Sequence, residues 1–106
     1  MEFLQDGGVR VIDGFILPDS NSRYLTENDL EGLSHQLLSL SRNEIYARHG
    51  TIFSNEAISI YFHNRDWYDE TLSWDQFENA MLNQYETANV NLITRCENEW
   101  YGGSYY

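Results

Sequence analysis

Apolar residues recur at helical spacing in three stretches of the chain. Leu37, Leu38 and Ile45 share one face of a helical wheel with Ser41, while Leu40 and Ala47 lie on another side. A helix that is apolar on more than one side needs neighbours on both flanks, so this element is predicted to be central. Ser34 is a good N-cap and Gly50 stands where a left-handed residue ends a helix, which predicts a helix from Ser34 to His49. Further on, Phe77, Met81, Tyr85, Ala88, Leu92 and Cys96 alternate steps of four and three. They predict a surface helix that starts near Asp75 or at Asn79 and reaches Arg95, with its polar side outward. Between the two, Ser54 or Asn55 caps a predicted helix from Glu56 to about Asn64, with Ile58, Tyr61 and Phe62 inward. Upstream, Thr26-Glu27-Asn28-Asp29 has the form of a capping box. It predicts a short helix from Glu27 to Gly32, with Leu25 and Leu30 stapled across the cap.

The remaining stretches break the periodicity. Met1 to Ser22 carries the pair Gly7-Gly8, a short alternation from Val9 to Ile12 and a Pro-Asp-Ser-Asn-Ser turn cluster. It reads as a linker or loosely docked arm, from which Phe15, Ile16 and Leu17 could pack on the domain. Arg65-Asp66-Trp67-Tyr68-Asp69 places two large amphipathic rings in a loop, where Trp67 and Tyr68 either plug the core or line a groove for stacking on a ligand. The tail from Trp100 to Tyr106 is aromatic around a glycine pair, and reads as a mobile end, a linker or an arm that folds back. The expected organisation is therefore an arm over 1–22, a helical domain over 23–97 and a tail over 98–106. The fold class is all-α, a small bundle of about four helices joined by short irregular or extended connections.

Composition narrows the partners. At 106 residues, with 42% of them hydrophobic, the chain is one domain with a real core. Its formal charge of -11 repels phosphates and anionic headgroups, so nucleic acid is not an expected partner and a charged partner should be cationic. The basic residues are all arginines, and Arg23, Arg42, Arg48 and Arg65 are candidates to be held by carboxylates and carbonyls within the fold. A single cysteine, Cys96, excludes an intrachain disulfide and a multi-cysteine zinc site. No stretch approaches the ~18 to 20 apolar residues that cross a bilayer, and no membrane insertion is expected. Met1 to Val11 has no signal-like apolar run. The protein is then either cytoplasmic or a piece of a longer exported chain.

Candidate chemistry concentrates in Arg42, Asn43, Glu44, Tyr46, Arg48, His49 and Gly50. Each has a structural role open to it. Glu44 stands four residues before Arg48, the favourable order for an intrahelical ion pair. Arg48 and His49 suit the carboxyl end of a helix dipole, and Asn43 in mid-helix calls for a tertiary partner. The same residues could face a ligand, and Glu44 with His49 could form an acid–base pair if both met one cleft. A metal is not expected. His35 and His49 are ~21 Å apart along one helix at 1.5 Å per residue, although His49 and His63 could meet beside Glu44 or Asp66. No phosphate loop, H-E-x-x-H or nucleophile elbow is present, and no cofactor is expected.

The spelling Tyr46-Ala47-Arg48-His49-Gly50 resembles the bacterial YARHG domain. The resemblance runs from about Leu17 to Ile93 through Arg23-Tyr24-Leu25-Thr26, Leu30 to Ser34, Ile52-Phe53, Tyr61-Phe62, Trp67-Tyr68 and Leu82 to Asn89. It implies an extracellular module that sits beside peptidase, kinase and other modules in bacterial surface proteins. It implies no established molecular function and no catalytic residue. The expected function is thus a non-catalytic binding module at the cell surface or in a secreted protein, with the export signal outside this stretch. Its expected partner is a cell-wall component, a peptide or another domain of the same protein. A spacer without a ligand and a hydrolase using Glu44 and His49 are the alternatives.

Overall fold

The computed structural model describes the backbone of residues 2–3 and 10–11 and all of residues 14–106. Gly7, Gly8, Val9 and Ile12 lie outside the described residues. Glu2–Phe3 (β1) and Arg10–Val11 (β2) pair antiparallel. The helices follow, as Glu27–Leu30 (α1), His35–Ala47 (α2), Glu56–His63 (α3) and Gln84–Tyr101 (α4). The fold is a small all-α bundle with α2 in its middle, and its largest helix contact is α2 against α4.

Side chains set most of the helix starts. Asp29 accepts from the Thr26 amide at 2.7 Å. Ser34 Oγ accepts from the Leu37 amide at 3.1 Å, and Asn55 Oδ1 from the Ile58 amide at 3.1 Å. Helix α2 ends earlier than periodicity suggested, at Ala47, because the chain tightens through Arg48 and His49 and the Gly50 amide bonds to Ala47 O at 2.9 Å. Gly50 has φ of 84°, and a Cβ there would lie 2.8 Å from Asp69 O and against Thr71 Oγ1. The carbonyl of Gly50 then accepts from the amides of Thr71 and Leu72, which starts a parallel bridge between Thr51 and Leu72.

Helix α4 departs most from its expected form. It begins at Gln84 on an Asn83–Glu86 capping box, after a single 3₁₀ turn at Asn79–Met81. Phe77 and Met81 are therefore not on it. Its buried residues are Glu86, Asn89, Ile93, Cys96 and Glu97, while Tyr85, Ala88 and Leu92 are half-buried. Part of the face that looked polar and outward is turned inward beside Ile93 and Cys96, because partners on other elements satisfy its carboxylates and amide.

Apolar side chains gather in two clusters. Leu30, Leu37, Leu38, Ile45 and Ile93 centre the first, which also contains Ile16 and Leu17. Phe62, Phe53, Ile58 and Ala47 form the second, with Trp67 and Tyr68 packed on it. Ile16 and Leu17 thus pack into the core, as the apolar run at residues 15–17 allowed. The tail also packs, with Tyr106 against both clusters.

Candidate functional site

The polar residues of α2 reach outward from one helix to both ends of the chain. Glu44 is fully buried, and its two oxygens accept from the Ile16 amide at 2.8 Å and the Leu17 amide at 3.1 Å. Burial pushes its carboxyl up to about 7, against the two amides and the charges of Arg48 and Arg65, which pull it down. Arg48 does not close on Glu44 as the i,i+4 spacing predicted. Its Nη1 donates to Leu17 O at 3.4 Å, Pro18 O at 3.2 Å and Ser20 Oγ at 3.3 Å. The guanidinium also lies over the Phe15 ring, 4.1 Å from its centroid. One carboxylate and one arginine therefore hold both the donors and the acceptors of residues 16–20.

A second polar group links α2 to α4 and the tail. Arg42 Nε donates to Glu97 Oε1 at 2.7 Å, and Ser39 Oγ to Glu97 Oε2 at 2.6 Å. Glu97 is 2% exposed, so these two donors take the place of water at its oxygens. Arg42 also reaches Ser104 Oγ at 2.9 Å. Asn43 was expected to hold another element, but its amide donates back to Ser39 O on its own helix at 2.9 Å.

His49 meets Glu86 at 2.8 Å, and His63 meets Glu70 at 2.9 Å. The hydrogen bond to Glu70 raises the His63 pKa. The two histidines thus have separate carboxylates, and among the described residues no group of three or more His, Cys, Asp or Glu could hold a metal ion. Glu44 and His49 face different elements, Glu44 the amides of residues 16–17 and His49 helix α4. Sequence reasoning missed Glu86, although the N-x-x-E spelling at Asn83–Glu86 marks it as a capping residue. One of its oxygens takes the Asn83 amide at 2.9 Å and the other meets His49.

The two loop aromatics are half-buried. Trp67 stacks on Phe15 with centroids 4.8 Å apart, and its Nε1 donates to Gly14 O at 2.7 Å. Tyr68 donates to Thr51 O, and burial pushes its phenol up to about 12. Both polar tips are thereby occupied, and both rings pack on the second cluster. Tyr46 is different. It is half-buried between the edges of Trp74 and Phe77, at 5.4 and 5.3 Å, and lines a cavity of about 180 Å³ with Asn79, Leu82, Thr87, Val90 and Asn91.

The family model for the YARHG domain matches residues 13–98 of this chain. The chain belongs to the YARHG domain family. The match takes in residues 14–22, consistent with their engagement by Glu44 and Arg48, the two charged residues that bracket the start of the motif. No curated protein and no solved structure matches the sequence. In this YARHG domain the letters of the motif divide by direction. Arg48 and Gly50 shape the interior, His49 reaches α4, and Tyr46 lines a cavity.

Proposed function

We propose that this YARHG domain is a non-catalytic recognition module of a bacterial surface or secreted protein, taking a cell-wall glycan, a peptide or a neighbouring domain. The observation that supports it most is the division of polar groups. Glu44, Arg48, Arg42 and His49 are held by internal partners, while Trp74, Trp100 and Tyr105 remain exposed on an acidic surface. Glu44 as a catalytic acid would need to leave two buried amides and reach a substrate. The loop over residues 16–20 covers it instead. A ligand-free spacer is the second reading, favoured by the grip of α2 on residues 16–20 and 103–106.

Purified wall material and a panel of peptides test the proposal together. Co-sedimentation or retention without release of soluble fragments is the expected result. Release of fragments would turn the reading to a hydrolase, and no retention on any material would leave the spacer.

A further inference from the structure

A cleft of about 420 Å³ opens between the turn after α1 and the end of α4, lined by Glu27, Glu31, Gly32, Leu33, Trp100 and Tyr101. We propose that it binds a cationic side chain, an arginine or lysine presented on a peptide. The proposal rests on the recognition-module reading and names the ligand class and the place.

Two kinds of group converge there, and both favour positive charge. Trp100 offers a ring face whose quadrupole attracts a cation, Tyr101, stacked on His35, lines the wall beside it, and Glu27 and Glu31 offer carboxylates. Trp100 is 36% exposed, and its side chain makes no hydrogen bond or ring contact among the described residues. The Glu31 carboxylate is likewise without an ion-pair partner among them. Leu33 and the rings suit the methylene stem of a long basic side chain. The wall is firm, because Tyr101 Oη donates to Leu33 O at 2.9 Å and its ring stacks on His35 at 4.6 Å. No atom lies within 4 Å of where a Cβ at Gly32 would point, so the mouth is open on that side.

The protein already supplies a precedent for the contact. Arg95 Nη2 donates to Glu27 Oε2 at 2.9 Å, with both side chains about half exposed. An exposed pair of this kind is weakly held, so an incoming guanidinium can displace Arg95. The formal charge of -11 draws cations toward the molecule as a whole, and the rings then distinguish the cleft from the other carboxylates.

The test is a titration of the full chain, at low salt, with an acetylated and amidated Gly-Arg-Gly peptide and its neutral citrulline counterpart. It is followed by NMR at the Trp100 indole and the Leu33 amide. We expect saturable shifts with arginine and none with citrulline. Trp100→Ala and Glu31→Gln should each weaken binding about two- to fivefold. Arg95→Gln should tighten it, since it frees Glu27, and Glu56→Gln on α3, which removes the same charge outside the cleft, should leave it unchanged. Absence of binding, equal binding of citrulline, or equal weakening by Glu56→Gln would overturn the proposal. Wall-material retention on the same variants separates the two readings. Retention untouched by Trp100→Ala sinks the cleft and keeps the module, whereas no binding to peptide or wall material sinks both.

Discussion

At its carboxyl end helix α2 holds residues 16–20 through a fully buried carboxylate and an arginine, both acting on backbone groups. At its amino end it holds residues 97–106 through the partly exposed His35, Gln36 and Arg42 and the buried Ser39. Gln36 donates to Tyr106 Oη at 2.7 Å, His35 Nε2 meets Gly103 O at 2.7 Å, and Ser39 Oγ accepts from the Tyr105 amide at 2.8 Å. Ser39 and Glu97 are the deeply placed groups there, and Arg42 is partly exposed. Backbone amides cannot move away from a missing partner or find water inside the core. Exposed side chains can do both. The carboxyl end should therefore tolerate far less change than the amino end.

The strongest way to break this contrast is Glu44→Ala, which leaves the Ile16 and Leu17 amides unpaired and should cost about 4 kcal/mol. For a domain of this size that lowers Tm by roughly 20 °C, which thermal unfolding by circular dichroism would register. Gly50→Ala forces a left-handed backbone onto a residue with a Cβ and drives that carbon into Asp69 and Thr71. We expect a loss of about 3 kcal/mol by urea unfolding. Should either variant melt like the wild type, the buried end would not be the keystone.

The pH dependence sharpens the same point. Glu44 has a folded pKa of about 7 against an ordinary value of 4.5. The folded state thus holds this proton more tightly than the unfolded one. Its contribution is fully present below pH 4.5 and is lost as pH rises toward 7. At about 1.4 kcal/mol per unit the fall is at most about 3 kcal/mol. Urea unfolding between pH 4.5 and 8 should show that decline in the wild type and lose it in Glu44→Gln. Asp29 works the other way. Arg23 and the Thr26 cap hold it near 2, so its smaller, solvent-screened contribution is present above pH 3.8 and lost as pH falls through 2.

At the amino end, Arg42→Ala should cost about 2 kcal/mol, since Glu97 keeps Ser39 as a donor. The smallest effect should be His35→Ala, about 1 kcal/mol. A loss for Arg42→Ala equal to that of Glu44→Ala would erase the difference between the two ends.

Much of the scaffold was legible because its signals are local. Thr26 with Asp29, Ser34, Asn55 and Gly50 all act at or near the positions their spelling indicated, and the two-sided apolarity of α2 placed it centrally. Helix α4 misled because its inner face is polar. Glu86, Asn89 and Glu97 look like a solvated face until residues 20–25, His49 and Arg42 are brought to them, and no spacing rule carries that information. Asn89 alone accepts from the Leu25 amide and donates to Ser20 O and Arg23 O, each at 2.9 Å. The motif was recognisable, yet the partner of Glu44 is backbone, which has no letter in the sequence. The cleft beside Trp100 was not legible either, since it joins α1 to the far end of α4.

The reach of α4 also sets a timetable. During synthesis Ser39, Arg42 and His49 emerge while Glu86 and Glu97 are still to be made. Until residues 84–101 leave the ribosome, the inner side of α2 presents polar groups without partners beside Leu37, Leu38 and Ile45. A stalled or truncated chain ending before α4 would therefore expose apolar and unpaired polar surface together, the combination that recruits chaperones and proteases. Helix α4 decides whether the helices made before it keep their shape.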